Sequence, residues 1–177
     1  RRRVPGEIST PAAGVAELLI RIAGDLHRQE AGPLGLRFAR LATFLAPESS
    51  EAWLLTADLL NEGEEHEAAL IALAQVDAAD PFHYSAQAAR VHLLATAGKA
   101  EAALAEAEAA VRANPTVTTY ATLGDVYTDL ERLSDAAEAY AGALAVLKQS
   151  EAVQPEWTLH LLRGGALEQA GRWPEAK

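Results

Sequence analysis

No cysteine and no methionine occur among the 177 residues. Without cysteine there is no disulfide framework, no Cys-ligated zinc and no thiol nucleophile. That absence leaves the compartment open between bacterial cytoplasm and periplasm. Without methionine, and starting at Arg1-Arg2-Arg3, the sequence reads as a fragment or processed product, with no apolar signal-peptide core near its start. No run of about 18 apolar residues is present, so no membrane-spanning helix is expected. Aromatic residues make up only 6%. Basic residues are also scarce, with 15 against 25 acidic and a net charge of -10. Phosphate backbones call for a basic footprint, so nucleic acid is not an expected partner.

Catalytic signatures are missing in the same way. There is no Gly-x-Ser-x-Gly elbow and no Gly-rich phosphate loop. His27, His66, His83, His92 and His160 are not spaced as metal ligands, and His66 stands four residues from a single carboxylate, Glu62. No catalytic site, metal or cofactor is expected, and the segment does not read as an enzyme.

What is abundant is alanine, the best helix former, while β-branched residues are sparse. The expected class is all-α. A repeat organises it: Pro47, Pro81 and Pro115 follow apolar helical patterns at intervals of 34 residues. A proline at that point cannot continue a helix, because it has no N–H to donate and its ring clashes with the preceding turn. Small residues recur in step with the prolines. Ala57 and Gly124 fall in first helices, and Ala69, Ala103 and Ala136 in second helices. They let the two helices of a hairpin approach closely, while Trp53, Tyr120 and Tyr140 are expected to fill the gaps between hairpins. Thr10-Pro11 reads as a helix start and Gly32-Pro33 as a turn. Ala136 and Ala176 are 40 residues apart, so extra residues must be housed around Leu147–Pro155.

The set Tyr120, Leu123-Gly124, Tyr127, Ala136, Tyr140 and Ala143, repeated in outline upstream, resembles the tetratricopeptide repeat. The Ala- and Arg-rich style is similar to multi-repeat members from alphaproteobacteria, whose full-length forms are often exported. The resemblance implies a right-handed α-solenoid of helix-turn-helix hairpins, about four and a half repeats long. Residues 1–10 are expected to be a flexible flank and 11–177 the solenoid. Its units are 11–48, 49–82, 83–116, 117–155 and an incomplete 156–177. The chain stops where the fifth unit's second helix is expected, so the natural protein is expected to continue and the face of Leu159–Leu167 to be incompletely covered.

The resemblance further implies a concave groove lined by the first helices. Its candidates are Ile20 and His27 in the first unit, and Leu54, Asp58 and Glu62 in the second. Ala88 and His92 follow in the third, Ala121, Asp125 and Asp129 in the fourth, and Leu161 and Glu168 in the fifth. The Lys and Asn clamp of chaperone adaptors is missing at Leu54 and Asp58, and so is the Asn ladder of sugar-transferase members. What remains is apolar ground flanked by acids, suited to a basic and apolar peptide or protein segment. The bland alternative is that the acids are solvated helix faces. The function implied is a protein-interaction scaffold. Two alternatives stand beside it: a regulatory or targeting segment of a larger protein whose enzyme domain lies elsewhere, and a self-assembling structural element. Oligomeric state is left open.

Overall fold

A computed structural model describes residues 10–149 and 156–176. All regular structure among them is helical: α1 (Pro11–Arg28), α2 (Gly32–Leu45), α3 (Ser50–Glu62), α4 (His66–Leu73), α5 (His83–Thr96), α6 (Ala100–Ala113), α7 (Val117–Asp129), α8 (Leu133–Gln149) and α9 (Glu156–Gln169). They form two compact units, Arg1–Ala86 and Gln87–Lys177, with the division in the first turn of α5. The expected flank at residues 1–10 lies almost wholly outside the described residues.

In the first unit α1 packs on α2 and α3 on α4, and α3 also packs on α2 and α1. Ala16, Ala23, Ala39, Ala42 and Ala52 are all but fully buried. Their small side chains set the helix spacing. Leu19, Leu59 and the half-buried Phe38, Leu45 and Leu55 supply the apolar bulk around them. The second unit repeats the scheme. Ala136, Ala137, Ala143, Tyr140, Leu144 and Leu147 of α8 form one cluster with Leu159, Ala166 and Leu167 of α9.

Each first helix ends in the same way. The amide of the third residue past the end bonds back over five residues: Ala31 to Leu26, Glu65 to Leu60, Lys99 to Leu94, Arg132 to Tyr127 and Arg172 to Leu167, at 2.8–2.9 Å. This is a Schellman closure, which needs a left-handed residue just before that amide. Glu30, Glu64, Gly98, Glu131 and Gly171 hold it, with φ between 58 and 75°. Gly32-Pro33 is therefore not the turn. It opens α2, with proline in the first helical turn where a missing N–H costs nothing; Glu30 makes the turn.

Helix starts follow the sequence more closely. Thr10 caps α1 by accepting from the amide of Ala13, and Thr116 and Thr119 form a capping box on α7. Part of the 40-residue interval is taken up by α8, 17 residues long against 14 for α6. Residues 150–155 lie outside the described residues.

One expectation about packing is corrected. Tyr120 and Tyr140 join the shared core but pack first within their own hairpin, each ring against a glycine of the facing helix: Tyr140 on Gly124 and Tyr120 on Gly142. At the C-terminal end the span Leu159–Leu167 is incompletely covered, as expected: Leu159, Ala166 and Leu167 are buried on α8, while Leu161 and Leu162 are left exposed together with Trp157 and Trp173. Residues 173–175 form a turn rather than a helix.

Candidate protein-binding surface

The candidate residues collect separately within each unit. In the first, α1 and α3 bring His27 against two acids. His27 Nε2 lies 3.5 Å from Asp58 Oδ2, and its Nδ1 lies 3.1 Å from Glu62 Oε2. That Nδ1 is enclosed yet not aligned as a hydrogen bond. The four-residue spacing of Asp58 and Glu62 puts both carboxylates on one face of α3, and both are more than half exposed. Ile20 is half-buried against the core and Leu54 is half-buried, so neither stands free on the surface.

In the second unit Asp125 and Asp129 repeat the four-residue spacing on α7, again exposed. Tyr140, buried in α8, donates its hydroxyl hydrogen to Asp125 Oδ1 at 2.7 Å and stands 3.4 Å from the Thr128 hydroxyl. Gly124 makes this reach possible, because a Cβ there would come within 2.5–2.8 Å of the Tyr140 ring. Burial raises the Asp125 carboxyl above its ordinary range; the Tyr140 bond lowers it, Asp129 raises it and His92 lowers it. The Tyr140 hydroxyl is itself pushed up, chiefly by its burial. His92 is exposed, while Ala88 and Ala121 are half-buried small residues. Leu161 and Glu168 are exposed on α9.

Two contributors were not among the sequence candidates. Trp157 is 67% exposed and stands one turn before Leu161 on the same face; its spacing from Leu161 was the available signal. Tyr140 orients Asp125 from behind, and no sequence signal separated that role from ordinary core packing. Among the described residues no group of three or more His, Asp or Glu is arranged to hold a metal ion.

A family model described as tetratricopeptide repeat matches residues 36–84, 88–145 and 122–176. The chain belongs to the tetratricopeptide repeat family. Its fold is accordingly an α-solenoid of about four and a half hairpins, and members of the family act in general as protein-interaction scaffolds. None of the curated proteins compared by sequence matches it. Among solved structures, MamA from Desulfovibrio magneticus is similar at 20% identity over 91% of this chain and 88% of its own, with a TM-score of 0.65. PilF from Pseudomonas aeruginosa is similar at 14% identity over 94% and 74%, with a TM-score of 0.71. A chain of the APC/C hetero-tetramer Cut9–Hcn1 is similar at 14% identity over 95% of this chain and 32% of its own, with a TM-score of 0.70. At these identities the likeness concerns the fold alone.

Proposed function

We propose that this tetratricopeptide chain is a scaffold whose first-helix faces bind a protein or peptide segment carrying apolar anchors and Lys or Arg. The observation that carries the reading is the pair of exposed carboxylates on each unit, Asp58 with Glu62 and Asp125 with Asp129. One pair backs onto His27, and one member of the other is held by Tyr140. Fixed carboxylates lose less side-chain freedom on meeting a cation, so more of the Coulomb attraction is retained. Opposite charge speeds encounter and disfavours acidic partners. Each unit also offers apolar ground on its first helices: half-buried Leu54 in the first, and half-buried Ala88 and Ala121 with exposed Leu161 in the second. Cut9–Hcn1, by its description a hetero-tetramer, is a fold neighbour found with a protein partner.

Fluorescence anisotropy with two labelled amphipathic peptides tests the reading, one built of Leu and Lys and the other of Leu and Glu. The Lys peptide binds, the Glu peptide binds at least tenfold more weakly, and salt narrows the difference. Asp58→Lys combined with Asp125→Lys removes most of the preference. Equal binding of both peptides, or an unchanged preference in the double variant, overturns the proposal and leaves the acids as solvated surface.

A further inference from the structure

We infer that a second copy of this chain occupies the exposed face of α9, seating there the apolar stripe that α2 leaves uncovered. The inference rests on the first-helix face being a binding surface, as proposed above, and names one occupant for it.

The two faces match in chemistry. On α2, Leu34, Arg37, Leu41 and Phe44 recur at intervals that keep them on one side of the helix, and the three apolar members are 45%, 47% and 80% exposed. A phenylalanine exposed to that extent is unusual on a surface with no covering partner. Its helix is also the wrong sign for its chain: α2 carries Arg37 and Arg40 and no acid, in a protein of net charge -10. Arg40 is paired with Glu65 across to α4, while Arg37 has no ion-pair partner among the described residues. The α2 stripe therefore has the composition proposed for a ligand of the first-helix faces, apolar anchors beside an exposed guanidinium.

On α9 the corresponding stripe is Trp157, Leu161, Gly165 and Glu168. Trp157 and Leu161 are 67% and 66% exposed. A Cβ built on Gly165 would meet nothing within 4 Å, so the surface is open at that point to an incoming side chain. Glu168 ends the stripe and Glu156 borders Trp157, both exposed and without ion-pair partners among the described residues. By helical spacing Arg163 lies on the opposite side of α9. Leu34, Leu41 and Phe44 thus face Trp157 and Leu161, and Arg37 faces Glu168.

The two surfaces differ, so each copy has one α2 stripe and one α9 stripe to offer to other copies. Few large side chains take part on either side, which places the contact among small, transient interfaces. Net repulsion between copies at low ionic strength further limits it.

Sedimentation equilibrium over a wide concentration range tests this on the full chain. The weight-average mass rises with concentration above that of the monomer. Leu41→Ser with Phe44→Ser removes the α2 stripe, and Trp157→Ser with Leu161→Ser removes the α9 stripe. Each double variant is monomeric alone, with association weakened at least tenfold. Mixing the two restores one intact pair of faces and yields a capped one-to-one dimer. Because all four positions are exposed, folding is checked by circular dichroism. Arg37→Glu with Glu168→Arg serves as a charge-swapped pair: the single changes weaken association and the combination recovers it. A chain monomeric at every concentration, association surviving in either double variant, or a mixture that stays monomeric overturns the inference. If self-association is absent while the Lys peptide still binds, only this inference fails and the proposed function stands.

Discussion

Replacing Gly124 by alanine gives opposite predictions depending on whether the hairpin contact exists. In an open helix Gly→Ala is stabilising by about 0.5–1 kcal/mol, because glycine loses more backbone freedom on folding. At Gly124 the new Cβ would stand 2.5 Å from Tyr140 Cε1, 2.7 Å from Cδ1 and 2.8 Å from Cζ. The ring cannot retreat at low cost, since Tyr140 is 2% exposed and its hydroxyl is tied to Asp125. Overpacking of this kind costs about 1–3 kcal/mol. The balance is a net loss of about 0–2.5 kcal/mol. Gly165 is the matched control: it lies in a helix of the same unit and has open space around it, so Gly165→Ala should gain about 0.5–1 kcal/mol. Urea unfolding followed by circular dichroism measures both, with thermal midpoints expected to move by about 2–4 °C per kcal/mol. In a Tyr140→Leu background the penalty at Gly124 should shrink by at least about 1 kcal/mol, a coupling expected only for residues in contact. Stabilisation by both alanines, or an unchanged penalty without the Tyr140 ring, would refute the packing described for this hairpin.

Other expectations follow from the same coordinates. Glu64→Gly and Glu131→Gly, which relieve a left-handed backbone at a Schellman closure, should each stabilise by about 0.5–1 kcal/mol, read as a higher urea midpoint, while Gly98→Glu should do the reverse. Thr116→Ala removes the capping box of α7 and should cost about 1 kcal/mol in the same assay. Asp125→Asn should change the pH dependence of stability. The folded carboxyl is raised above its value of 3.8 in the unfolded chain, so the native state holds the proton longer and loses stability as pH rises through that window. Asparagine removes that loss, so the variant should gain on the parent as pH climbs above about 4. Glu175, held low by Arg172, gives the opposite slope in both proteins and cancels in the comparison.

The repeat was legible because its physical cause is periodic. Alanines at 69, 103 and 136 must be small wherever helices cross closely, and each is at 0% exposure. Prolines at 47, 81 and 115 fall after α2, between α4 and α5, and after α6, as helix breakers must. The turns were less legible. Glycine usually marks a left-handed position, but three of the five closures here use glutamate, so Gly32-Pro33 drew attention away from Glu30. On the surface, helix spacing brought together Asp58 with Glu62 and Asp125 with Asp129. It could not show that His27 reaches across to α3 or that Tyr140 supports Asp125. Those contacts depend on the distance between helices, which one helix's periodicity does not encode. Ile20 fell on the expected face and is nonetheless half-buried against the core.

The most direct test of the account is amide and side-chain NMR mapping of the Lys peptide, using the Leu41→Ser and Phe44→Ser variant so that copies of the chain do not compete. The account predicts shift changes at His27, Asp58, Glu62, His92, Asp125, Asp129 and Leu161, with α2, α4 and α6 unaffected. Changes centred on those second helices, or spread evenly over every exposed acid, would contradict it.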